Sequence, residues 1–153
     1  MDDLAALADG YLRHFDYVFG DGRRDLGTEE LNAAFESDPY RDIDDRVMQI
    51  EFRGSSDEFW TLLVELVARC NTTRQLGFVA AGPVENFLIK FGDSYLEQLT
   101  ALASVNSRWQ YAIWATYPNR MPAAVAQLVE RLHVRYPDER EVLGLTGLPA
   151  QPP

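Results

Sequence analysis

Between residues 3 and 19, Leu4, Leu7, Ala8, Tyr11, Leu12, Phe15, Val18 and Phe19 recur at intervals of three and four. That spacing paints one face of an α-helix and would scatter over both faces of a strand. The same period returns along the chain, broken by glycine, proline and capping residues, and no regular series of hairpin signals interrupts it. The feature that most limits the fold is therefore helical periodicity, and the chain is predicted to be all-α.

Asp2 or Asp3 is placed to cap the first helix, and Gly20-Asp21-Gly22 stops it. Thr28 can cap a short helix through Phe35, which Pro39 closes. Residues 42–53 carry two signals: Asp42 with Ile43, Val47 and Ile50 fits a capped helix, while Val47 to Phe52 also alternates as a strand would. Helix is the reading adopted. Ser55 followed by Glu58 forms a capping box ahead of Phe59, Trp60, Leu62, Leu63, Leu66, Val67 and Cys70. Asn71-Thr72-Thr73 reads as a turn.

Gly82-Pro83 is read as opening the next helix with proline at its first position, ending at Gly92. Asp93 would cap its successor, which ends near Asn106. Trp109, Ile113, Trp114 and Tyr117 follow before Pro118, and Pro122 starts a final helix with Val125, Leu128, Val129 and Leu132 inward. This makes six or seven helices with short connections, arranged as an antiparallel bundle or as stacked helical pairs. A chain of 153 residues suits one domain, here expected over residues 1–141, with a loosely held Gly/Pro-rich tail over 142–153.

Charge is distributed unevenly. Residues 1–58 hold 16 acidic and 6 basic side chains, whereas residues 59–153 hold 8 of each, so the whole formal net charge of −10 belongs to the first part. Phosphate recognition rests on Lys and Arg, so this balance argues against nucleic acid and anionic membranes and for a basic protein partner. Asp38, Asp42, Asp44, Asp45 and Glu51 are the candidate partner-binding residues. Met1-Asp2-Asp3 does not resemble a secretory signal, and the apolar runs fall short of the ~20 residues a bilayer needs. A cytoplasmic address is expected.

Cofactor chemistry finds no foothold. His14 and His133 stand far apart and outside any zinc-ligand spacing. Asp42-Ile43-Asp44-Asp45 begins like a calcium loop, but Val47 replaces its glycine and Arg53 its bidentate glutamate. Gly20-Asp21-Gly22 follows a helix and lacks a third glycine, so it supports no dinucleotide site. No catalytic residue and no metal ligand is assigned. Cys70, flanked by Val67 and Ala68, is expected to be a small buried hydrophobe.

Gly82-Pro83-Val84-Glu85-Asn86-Phe87-Leu88, then Phe91-Gly92-Asp93, then Trp109 and Trp114, resemble the order found in a family of small acidic all-helical bacterial proteins of uncharacterised function. That family has Gly-Pro-Leu-Glu-Asp-Leu-Leu, then His-Gly-Asp, then Gly-Val-Trp. The resemblance spans roughly residues 56–118 and implies a helical fold without an activity. Asn86 stands where the family has an acid, Phe91 where it has His, and Ala112-Ile113 where it has Gly-Val.

Two functions are compatible with these observations. In the first, a non-catalytic helical scaffold docks its acidic N-terminal part on a basic partner, as immunity proteins dock on cationic toxins. In the second, Trp60, Trp109 and Trp114 line a small-ligand or enzyme pocket with Glu85 or Asp93 as its polar group. The charge placement favours the first.

Overall fold

A computed structural model describes residues 3–20 and 27–150, which form helices and turns with no strand among them. The fold is all-α. It divides into two compact units, residues 1–70 and 71–153. The unit boundary sharpens the charge asymmetry: the first 70 residues hold 17 acidic and 7 basic side chains, and the remainder holds 7 of each.

The first unit contains α1 (Leu4–Phe19), α2 (Thr28–Glu36), α3 (Arg41–Arg53) and α4 (Ser56–Arg69). Asp3 caps α1, its carboxylate accepting from the Ala5 and Ala6 amides at 3.1 and 3.2 Å; Asp2 lies outside the described residues, as do Asp21 to Leu26. α1 packs against α2, α3 and α4. Its stripe of Leu7, Tyr11, Leu12, Phe15 and Val18 is buried with Phe59, Leu62, Leu63 and Leu66 of α4, each fully buried leucine contributing roughly 2 kcal/mol. Gly10 permits the close approach of α3, because a Cβ there would run into the Ile43 side chain.

The capping box holds, with Ser55 Oγ accepting from the Glu58 amide at 3.2 Å. Residues 42–53 are helical. Burial of Val47, Ile50 and Glu51 follows the helical repeat, and a strand would have placed Val47 and Ile50 on opposite faces. Asp42 sits in the first turn of α3 and does not cap it; Tyr40 occupies the cap position. Thr28 is likewise the first residue of α2, after Gly27. Cys70 is buried and its thiol donates to the Leu66 carbonyl at 3.2 Å.

The second unit contains α5 (Thr73–Val79), a π-helical turn (Ala80–Val84), α6 (Glu85–Phe91), a 3-10 turn (Gly92–Tyr95), α7 (Leu96–Val105), α8 (Ser107–Trp114), a second 3-10 turn (Pro118–Arg120), α9 (Ala123–Arg135) and α10 (Glu139–Gly144). α8 is central, packing on α5, α7, α9 and α10 with Trp109, Gln110, Tyr111, Ala112 and Ile113 buried. Asn106 ends α7 and caps α8, its side-chain oxygen accepting from the Arg108 and Trp109 amides at 3.1 and 3.2 Å.

The structure also differs from the sequence reading around Gly82-Pro83 and at Asp93. The helix assigned to Gly82-Pro83 begins earlier, at Thr73, where Thr72 Oγ1 accepts from the Gln75 amide at 3.1 Å. Pro83 lies inside a π turn, with the Glu85 amide reaching back to the Ala80 carbonyl. Widening one turn accommodates a residue that has no N–H and whose ring would strike the carbonyl four residues back. Asp93 makes no capping bond at the head of α7; it stands exposed in the 3-10 turn.

Residues 142–150, expected as a loose tail, are held. Val142 of α10 is fully buried, Asp138 caps that helix through the Arg140 amide at 2.9 Å, and the Thr73 amide donates to the Pro149 carbonyl at 2.9 Å. With α5 and α10 added, the described residues carry more helices than the six or seven expected.

Candidate functional site

The helical repeat that turns Val47 and Ile50 inward turns Asp42, Asp45, Met48, Gln49 and Phe52 outward along α3. All five are exposed, and Met48 and Phe52 retain 44% and 63% of their surface. Asp45, Met48, Gln49, Phe52 and Arg53 border a shallow depression on this face. An exposed apolar pair one turn apart, beside carboxylates, combines the two properties of a protein-docking surface: apolar area at its centre and charge at its rim. On α2, Glu29, Glu30 and Glu36 are exposed as well.

The five carboxylates proposed from sequence separate into two groups. Asp42 and Asp45 reach the surface. Asp38 does not: its side chain is buried, with one oxygen bonded to Nδ1 of His14 and the other accepting from the Tyr40 amide at 2.8 Å. Glu51 is also buried. Asp44 lies between, a quarter exposed, with Oδ1 3.6 Å from Nε2 of His14. Asp38 and Glu51 are therefore corrected from contact residues to residues beneath the face.

This buried polar group has a defined electrostatic character. Burial pushes the Asp44 carboxyl above its ordinary value, His14 pulls it back, and Asp45 and Asp38 push it up again. Burial also raises the Tyr11 phenol, with the charges of Glu51 and then Asp44 adding to it. His14 was the residue sequence reasoning overlooked. Its signal was its position on the apolar stripe of α1, three residues after Tyr11 and four before Val18, where an imidazole needs a buried partner. Among the described residues no group of three His, Cys, Asp or Glu side chains is arranged to hold a metal ion.

The aromatic alternative does not assemble as proposed. Trp60 is half-buried on α4 of the first unit, Trp109 is a core residue of the second, and Asp93 is exposed on the 3-10 turn. Glu85 accepts from the Tyr117 amide at 3.1 Å and so ties the chain after α8 to the start of α6. Trp114 alone of the three tryptophans borders the cleft of about 390 Å³ formed with Tyr117, His133, Tyr136 and Pro137. From sequence His133 is considered as a zinc ligand and set aside; its spacing of four from buried Val129 is the signal that it lies at the edge of the packed stripe.

Helix order, the π turn and the helical body define an all-α protein. Residues 32–136, more than half of the chain, match the family described as "Family of unknown function (DUF6869)", and the chain belongs to that family. No curated protein matches it, and no solved structure does. No helix among the described residues is long and apolar enough to cross a membrane.

Proposed function

We propose that this chain is a non-catalytic binding domain that docks the outer face of α3 on a basic protein. The observation that carries this reading is the pairing of exposed Met48 and Phe52 with exposed Asp42 and Asp45 on one helical face. Apolar area supplies affinity once water is excluded, and a unit carrying 17 acidic against 7 basic side chains attracts cationic partners and repels polyanions. A module that masks a cationic toxin, as an immunity protein does, has this chemistry, and the cytoplasm is the setting in which such masking would serve the producing cell.

The test is affinity capture from the source cell on the immobilised full chain, with Asp42→Lys/Asp45→Lys and Phe52→Ser chains in parallel. The wild type is expected to retain a basic protein that both variants release at lower salt. Equal retention by all three would remove α3 as the docking face.

A further inference from the structure

The cleft beside Trp114 lies wholly within the second unit and has no part in the docking face. We infer that it is a binding site for a small planar aromatic molecule that carries an N–H or O–H donor.

The shape argument comes first. Four residues with rings, Trp114, Tyr117, His133 and Tyr136, line a space of about 390 Å³ together with Pro137. That volume falls within the range of small-molecule sites, and ring-lined slots favour flat aromatic occupants through offset and edge-to-face contacts. The walls are fixed. The Trp114 ring stands edge-on to His133 at 5.1 Å between centroids and stacks on Tyr111 at 6.2 Å. Its Nε1–H donates to the Tyr136 carbonyl at 2.8 Å, and Arg135 covers the Tyr136 ring at 5.2 Å.

The polarity argument selects the ligand's functional group. The amides of Ala115, Thr116 and Tyr136 donate to backbone carbonyls, that of Tyr117 donates to Glu85, and those of Trp114 and His133 lie within helices. The Thr116 hydroxyl donates to the Ile113 carbonyl at 2.7 Å. Pro137 has no N–H. The wall's backbone and indole N–H groups are thus all engaged.

Acceptors are left over: among the described residues nothing donates to the carbonyl oxygens of Ala115, Thr116 or Pro137. His133 Nε2 lies 2.6 Å from the Trp114 carbonyl oxygen, so Nε2 carries the hydrogen and donates it. The other ring nitrogen, Nδ1, has no partner among the described residues and is not sealed from solvent. The two tyrosine hydroxyls can donate or accept and do not discriminate. A ligand that brings a donor to this wall is matched, and one without it leaves the wall's acceptors desolvated.

Two probes differing only in the donor test this: indole and N-methylindole, titrated into the full chain and followed by amide and indole N–H resonances in NMR spectra. Indole is expected to shift the Trp114 side-chain N–H and the amides of residues 115–117 and 133–136 saturably, and to bind about three- to tenfold more tightly than N-methylindole. His133→Phe, which keeps a ring and gives up one acceptor, should reduce that preference. Tyr117→Ser, at a side chain that is 72% exposed, should weaken both probes severalfold. Equal binding of the two probes to the wild type would overturn the donor requirement. The absence of saturable shifts at these positions would overturn the site.

Discussion

His14 and Asp38 form a hydrogen-bonded pair sealed in the first unit, the imidazole of α1 meeting a carboxylate from the turn between α2 and α3, with side-chain exposures of 3% and 1%. Asp38 also accepts from the amide of Tyr40, which occupies the cap position of α3. The pair thus sets where α3 starts and how its outer face is presented. Removing one partner of such a pair leaves the other buried without compensation, which costs more than the pair contributes net. Asp38→Ala is expected to lower unfolding stability by about 3 kcal/mol in urea titrations, while Asp42→Ala on the exposed face stays within about 0.5 kcal/mol of the wild type.

Asp44 makes stability depend on pH. Burial raises its carboxyl from the usual 3.8, His14 opposes the shift, and Asp45 and Asp38 reinforce it. The unfolded chain therefore releases this proton at lower pH than the folded chain does. Between 3.8 and the raised folded value the unfolded state binds fewer protons, so this group's contribution to stability falls as pH rises and then stays at its unfavourable limit. Urea midpoints of Asp44→Asn and wild type, compared from about pH 3 to about pH 7, should show the variant gaining on the wild type as pH rises. A midpoint difference, variant minus wild type, that stays constant or falls as pH rises would contradict this.

In the second unit, Gly92 is required by space and not by backbone conformation, since its φ of −55° is ordinary for any residue. A Cβ there would lie 2.9 Å from Cγ2 and 3.1 Å from Cγ1 of fully buried Val125 on α9. Gly92→Ala is expected to cost about 1–3 kcal/mol. In a double-mutant cycle with Val125→Ala the coupling should reach about 1 kcal/mol, because the smaller partner vacates the space. Additive thermal or urea midpoints would show that the contact is not the cause.

Much of the fold was legible because its signals are local. The apolar stripe of α1, the Ser55/Glu58 box and the shared cap at Asn106 each depend on residues within a turn or two. The π turn was not legible: a Gly-Pro pair has the same composition at a helix start as inside a widened turn, and the choice depends on α8 packing beside it. α10 was hidden by the Gly147 and Pro149 that follow it, although Asp138 ahead of it was a usable cap signal.

Of the five acids named from sequence, Asp42 and Asp45 are exposed, whereas Asp38 and Glu51 are buried. A run of acids shows where charge is, whereas the side chain that turns inward is decided by what α1 offers across the gap. His14 drew Asp38 under, and Asp44 part of the way. Met48 and Phe52 were passed over because Val47 and Ile50 already accounted for the helical stripe, and the proposed docking face rests on these two exposed apolar residues.

The most direct measurement of the central claim is the association rate of the captured basic partner with the full chain across ionic strength, beside Asp42→Lys/Asp45→Lys. Steering by the acidic face predicts a rate that falls at least about tenfold from low to high salt, and a slower, nearly salt-independent rate for the variant, with its unfolding midpoint unchanged. A rate indifferent to salt and the same for both chains would contradict it.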